Sequence, residues 1–329
     1  MAPKYDHKET IINALDAMRK KETADKEVWK ARAYSKVIKA LKDFSKPVYS
    51  FDDIADLPGI GEKIAEKIKE IIETGKLHQV EAIENNASYG IIEELLQVHG
   101  IGPAKAQELV RKQGITSIED LIRRQDELLN DKQKLGLKYY KDILQRIPRK
   151  EMDKHNTFII DTIKAIDPKL IVTLAGSYRR GDPTSGDIDV LVTYPFDYQP
   201  HPGLMKEISK SMVQNKYVAD ILAEGDKKYM SVCRLKYHRI FRRLDIMLTK
   251  PSEYPFAVLY FTGSGPFNVA MRQYALSKGY SLNEYGLKKI KTGEMMDCRF
   301  DSEEDIFRFL DLKYIAPHER VQGVELELV

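Results

Sequence analysis

The sequence is short of several things, and each shortage excludes something. No apolar run approaches the roughly 18 residues that a spanning helix needs, and the first residues hold no signal-peptide core. A membrane partner is therefore not expected. Cysteine occurs twice, at Cys233 and Cys298, in no metal-spaced group. That excludes a disulfide framework and points to an intracellular, reducing setting. Seven histidines are scattered without zinc spacing, and no Ser–His–Asp or Cys–His arrangement can be argued. No dense basic cluster stands out as a nuclear-import signal. Net charge is only +3, a weak global pull on a polyanion.

What is present is a chain of 329 residues, 43% hydrophobic and 31% charged. That suits a soluble globular protein of two or more domains with a substantial core. The charge is unevenly spread. Trp29–Tyr49 holds six Lys/Arg against one Asp, Asp131–Lys150 seven against two, and Gly225–Arg243 seven against one. Each stretch alone is an ordinary solvated face. Three of them favour a channel that tracks a phosphate backbone.

The chemistry concentrates between Leu174 and Val192. Asp187 and Asp189 sit two apart, followed by the apolar run Val190, Leu191 and Val192. On a strand, residues two apart share a face, so both carboxylates project together. Carboxylates that close repel unless a cation lies between them, and hard oxygen ligands suit Mg²⁺. Upstream, the turn at Gly176-Ser177 and the guanidinium of Arg180 suit a phosphate. A second predicted strand, Arg242–Leu248, carries Asp245 on the face opposite its apolar row. If the two strands are neighbours, three carboxylates converge and can hold two metals about 3.5–4 Å apart.

The first half of the chain reads as helical. Ile11, Ile12, Leu15 and Met18 recur at helical spacing, as do Ala33, Val37, Ile38 and Leu41. Leu57-Pro58-Gly59-Ile60-Gly61 and Val98-His99-Gly100-Ile101-Gly102 are two tight turns, each followed by a helical pattern. This is a helix-hairpin-helix arrangement, in which glycines let the backbone approach a phosphate and the new helix aims free N–H groups at it. Lys105 follows the second turn. Lys63 and Lys67, four apart, share a helix face. As solvated lysines they need no explanation; as amines near other cations they can form a Schiff base with a sugar aldehyde. Tyr139, Tyr140, Ile143 and Leu144 read as core.

These motifs, with Tyr260-Phe261-Thr262-Gly263-Ser264 and Asn283-Glu284-Tyr285, closely resemble the family X DNA polymerases, in particular their beta branch. The resemblance covers nearly the whole chain in one order. It implies a multidomain α+β fold: an N-terminal helical lyase domain with helix-hairpin-helix motifs, then a polymerase core with a nucleotidyltransferase-type palm. The implied segments are 1–82 (lyase, first hairpin), 83–148 (DNA-binding, second hairpin), 149–251 (palm) and 252–329 (nucleotide selection), with no further domain expected at either end.

By the same resemblance, Asp187, Asp189 and Asp245 hold two Mg²⁺ ions, with Mn²⁺ as a substitute. Arg146, Ser177, Arg180, Ser185, Gly186, Tyr260, Phe261, Gly263 and Asn268 bind the deoxynucleoside triphosphate. Lys67 is the lyase nucleophile, and Lys30, Tyr34, Lys63 and Lys76 line its pocket. Gly59, Gly61, Gly100, Gly102, Lys105, Arg243 and Arg272 contact DNA. Carbonyls of Leu57, Ile60, Val98 and Ile101 hold Na⁺ or K⁺. Trp29, Met247 and Gly265 depart from the beta pattern, Met247 by removing a possible charge partner for Asp189.

The implied activity is templated gap filling with 5′-deoxyribose-phosphate lyase action in base excision repair. The implied partners are gapped or nicked duplex DNA and repair proteins such as a ligase, the protein being monomeric and nuclear if its host is eukaryotic. The rivals are a template-independent nucleotidyltransferase and a non-catalytic DNA scaffold.

Overall fold

The computed structural model describes residues 5–25, 27–80, 87–320 and 326. The chain packs as two compact units, Met1–Lys138 and Tyr139–Val329. No helix among the described residues is long and apolar enough to cross a membrane.

The first unit is helical: α1 (Lys8–Ala24), α2 (Val28–Asp43), α3 (Glu62–Thr74), α4 (Ala87–Leu96), α5 (Pro103–Arg111), then the short α6 (Ile118–Arg123), α7 (Gln125–Leu128) and α8 (Asp131–Lys138). Ile11, Leu15 and Met18 of α1 bury against Val37, Ile38 and Leu41 of α2 and Ile64, Ile68 and Ile71 of α3. Each such side chain stabilises the unit by about 1.5–3 kcal/mol relative to exposure. The buried face of α2 runs through Ala31 and Tyr34. Ala33, expected in it, is exposed, because 100° per residue places it about a quarter turn from the centre of that face.

The second unit holds α9 (Tyr140–Ile143), β1 (Ile147–Pro148), α10 (Arg149–Ile166), β2 (Ile171–Leu174), α11 (Gly176–Arg179), β3 (Thr184–Ser185), β4 (Ile188–Thr193) and α12 (Leu204–Gln214). There follow β5 (Val218–Glu224), β6 (Lys228–Cys233), β7 (Arg242–Leu248), α13 (Tyr254–Thr262), α14 (Gly265–Ser277), β8 (Tyr280–Asn283), β9 (Gly286–Lys289) and α15 (Glu303–Phe309). Five strands form a sheet in the order β2-β4-β7-β6-β5. Only β4 and β7 pair in parallel there. The unbroken apolar run of β4 is explained by burial on both faces. Ile188 and Val190 pack with Met152, Ile159 and Ile163 of α10, while Leu191 packs with Met247 and with Ala257 and Val258 of α13. A separate aromatic core, including Phe256, Phe267, Phe300 and Phe307, joins α13, α14 and α15.

Residues 139–148, read from the sequence with the preceding helices, pack in the second unit. The Tyr139 hydroxyl donates to Asp220, the Phe241 amide donates to Asp142 at 3.0 Å, and Arg242 donates to the Gln145 carbonyl at 2.8 Å. Leu144, expected in the core, is 46% exposed.

Candidate active site

The parallel pairing of β4 with β7 sets Asp189 directly opposite Asp245. Asp187 immediately precedes β4 and shares a face with Asp189. Carboxylate oxygens of Asp187, Asp189 and Asp245 all lie within 4.8 Å of one another. Burial, then the charges of Asp187 and Asp245, push Asp189 well above the usual carboxylate range. Burial likewise pushes Asp245 up to about 6, with Arg243 opposing the shift. Oδ1 of Asp245 is buried without a hydrogen-bond partner. Crowded, hard, partly unsatisfied oxygens are the donor set that a divalent cation fits.

Arg243, expected on DNA, lies among these acids. It ion-pairs with Asp187, and its Nε is 3.3 Å from Asp245. Met247, expected to cost Asp189 a charge partner, packs in the apolar cluster with Leu191, and the nearby positive charge comes from Arg243 and Arg180.

Gly176 opens α11 with φ 57°, and a Cβ there would collide with Oδ2 of Asp189. Its bare backbone lets the Gly-Ser turn lie against the carboxylates. Beside it is a cleft of about 570 Å³ whose lining includes Ser177, Arg180, Gly186, Arg146, Asn268 and Arg272, as well as Tyr260, Phe261, Gly263 and Gly265. Arg180 donates to the Thr262 carbonyl and to Asp182, each at 2.7 Å. Arg146 is anchored on Thr184, with contacts at 3.0 and 2.6 Å. The Asn268 amide donates to the Tyr260 carbonyl at 2.6 Å, and the Arg272 guanidinium lies 4.8 Å from the Tyr260 ring centre. Ser185 is placed elsewhere: it is 1% exposed, pairs with Ile147 and does not line the cleft.

Sequence reasoning missed a network behind this cleft. Arg179 donates to Thr262 Oγ1 at 2.7 Å and to Glu303 at 2.5 Å, and the fully buried Arg320 donates to Glu303 at 2.6 Å. Charged residues 124 positions apart carry no local signal of pairing.

The first unit holds two features. The hairpins have nearly the same backbone: Gly59 and Gly100 at φ 99° and 86°, and Gly61 and Gly102 as the residues before α3 and α5 at φ/ψ −90°/170° and −91°/175°. Positive φ at the first glycine of each explains the residue type. The Leu57 and Val98 carbonyls accept from Ile60 and Ile101 amides at 3.4 and 3.0 Å, so each closes its own turn with one lone pair. Lys105 ion-pairs with Glu108 at 3.0 Å.

The second feature is a cavity of about 610 Å³ lined by Lys67, Lys63, Lys30 and Tyr34. Lys76, expected with them, is not in the lining; it lies beyond the end of α3. Trp29 is 80% exposed, with Arg32 5.2 Å from its ring centre. The sequence reading missed Glu22, Asp25, Tyr89 and Arg111, which also line the cavity. They come from α1 and the residue that caps its end, from α4 and from α5.

Comparison with known proteins agrees with this geometry. A family model of the DNA polymerase beta palm matches residues 146–251, and one of the DNA polymerase beta thumb matches 257–321. A helix-hairpin-helix domain matches 6–77, and the fingers domain of DNA polymerase lambda matches 93–144. DNA polymerase lambda of Rattus norvegicus is 36% identical over 324 residues, 94% of this chain and 56% of that protein. DNA polymerase lambda of Arabidopsis thaliana is 32% identical over 306 residues, 88% of this chain and 57% of that protein. The chain thus spans a little over half the length of these relatives. Four family models in one order, two relatives aligned along most of the chain, and three acids meeting on adjacent strands lead to one statement: the chain belongs to the family X DNA polymerases.

Proposed function

We propose that this protein is a DNA-templated, gap-filling DNA polymerase with 5′-deoxyribose-phosphate lyase activity, acting in base excision repair. The observation that carries the proposal is the register placing Asp189 opposite Asp245, with Asp187 in reach. Asp187 and Asp189 would hold the nucleotide's Mg²⁺, and all three acids the second ion, with Mn²⁺ as a substitute. When bound, such ions acidify the primer 3′-hydroxyl and neutralise charge on the phosphates.

The chain's own groups orient the substrates. Ser177, Arg180 and Gly186, with Arg146, hold the triphosphate for in-line attack on its α-phosphorus. Tyr260 and Phe261 crowd the 2′ position of the sugar and so select deoxyribose. Asn268 exchanges its bond to the Tyr260 carbonyl for the minor-groove edge of the base, and Arg272 meets the template. Separately, Lys67 attacks C1′ of an abasic sugar, with Lys30, Tyr34 and Lys63 around it. The two hairpins grip the phosphate backbone through N–H groups, without reading bases. The carbonyls of Leu57, Ile60, Val98 and Ile101 hold Na⁺ or K⁺. The substrates are gapped or nicked duplex DNA and deoxynucleoside triphosphates, with a ligase among the repair partners and the nucleus as location in a eukaryotic host. The functional segments are 1–82, 83–148, 149–251 and 252–329.

The deciding experiment is single-nucleotide filling of a gapped duplex bearing a 5′ phosphate, with product sequencing. Incorporation that follows the template base supports the proposal. Extension of a primer equally well without template would overturn it in favour of a template-independent transferase.

A further inference from the structure

The lysine cavity contains a buried acid that the proposed function leaves unused. Glu22 lies on α1 and is 7% exposed. Met18, Lys21, Glu22 and Asp25 follow helical spacing, so one face of α1 forms one wall of the cavity. Lys63 and Lys67, one turn apart on α3, and Lys30 and Tyr34 on α2 contribute to the rest of the lining. The Glu22 carboxylate is 3.7 Å from Nζ of Lys21 and 3.8 Å from Nζ of Lys30. Both distances exceed an ordinary hydrogen bond. These contacts hold the carboxylate less tightly than direct hydrogen bonds would, at the wall of the cavity. Asp25, nearly one turn further on, is engaged more tightly, with Lys21 and Arg111 each at 3.0 Å.

Schiff-base elimination needs an amine and a base. In the proposed function Lys67 is the amine. We infer that Glu22 is the base, taking the C2′ proton from the iminium that Lys67 forms with the abasic sugar; this rests on the lyase reading of Lys67. Nζ of Lys67 adds to the C1′ aldehyde, and water leaves. A Glu22 oxygen accepts the C2′ proton, and the C–H electron pair becomes the C2′–C3′ double bond. The C3′–O bond breaks, and its electrons depart with the phosphate-ended strand. Water then hydrolyses the imine, restoring the amine, and Glu22 returns its proton to solvent.

The test uses the full chain and a nicked duplex carrying a 5′-deoxyribose phosphate. For Glu22→Gln, borohydride trapping should stay within about twofold of wild type, while strand release slows by about 10²-fold or more, the low end for general-base catalysis. Glu22→Asp should recover part of that loss. Deuterium at C2′ should slow the Gln variant severalfold, because proton removal then limits the rate. Release at the wild-type rate overturns the inference. So does a parallel fall in trapping and release, which would make Glu22 only a support for the lysines. Failure of the lyase reading itself looks different: wild-type protein that is not trapped, or trapping unchanged in Lys67→Ala.

Discussion

The two pockets are of similar size, about 610 and 570 Å³, yet they are built in opposite ways. The first unit gathers lysines on helix faces; the second gathers carboxylates on adjacent strands. The difference follows from the chemistry each suits. An attacking amine must reach a carbon atom, and a long side chain on a helix provides that reach. Metal ligands must keep a spacing within a few tenths of an ångström, and paired strands provide that rigidity. The charge is managed differently as well. Three acids have the guanidiniums of Arg243 and Arg180 near them, whereas the lysines share their cavity with Glu22 and Asp25.

The sharpest way to separate the pockets is to disable one and read the other. Asp245→Ala should lower gap-filling synthesis by about 10³-fold or more, since metal stabilisation supplies several kcal/mol. Borohydride trapping and gap binding by the same variant should persist; synthesis at the wild-type rate would remove the acids from the mechanism. Lys67→Ala should do the converse, losing most of the trapped product while single-nucleotide filling stays within about twofold. If trapping continues undiminished, another lysine is the main nucleophile.

A smaller effect tests what holds the cleft together. Glu303→Gln leaves the guanidinium of the fully buried Arg320 without its ion-pair partner, which should cost about 3–5 kcal/mol in urea denaturation. The same variant loosens Arg179, so the KM for nucleotide should rise more than kcat falls. An unchanged denaturation midpoint would show that the network is dispensable.

The smallest effect concerns His155, fully buried beneath the sheet, with Nδ1 2.6 Å from the Tyr217 hydroxyl and with Glu151, Arg242 and His238 nearby. Burial, opposed by Glu151, pulls its pKa down to about 4. Between about pH 6.5 and 4 the unfolded chain therefore binds more protons than the folded one. Its contribution to stability is full above about pH 6.5 and is lost as pH falls toward 4, at up to about 1.4 kcal/mol per pH unit. Denaturation of wild type and His155→Gln at pH 7 and pH 5 checks this. The variant should lose less stability between the two.

Local spacing made much of this legible. The interval between Asp187 and Asp189, the two G-I-G turns, and Lys63 with Lys67 are each one strand or one helix turn long, so periodicity alone orients them. The structure adds most where periodicity is silent. Arg243 is expected on DNA by the family resemblance, and its pairing with Asp187 depends on which strand lies next to β4. Ser185 follows the right motif but turns into β3, against Ile147. Lys76 is near Lys67 in sequence, yet α3 ends before it. Glu22 and the Arg179–Glu303–Arg320 network could not be seen at all, because partners on different elements have no shared period.

Residue order by itself determined the helices, the hairpin turns and the side-by-side projection of two carboxylates, because these depend on neighbours a few positions apart. Tertiary structure alone decided that Asp245 would complete the group, that Arg243 would balance it and that Glu22 would face the lysines. Which strand lies beside which, and which helix face closes a cavity, is settled by burying apolar surface across the whole unit.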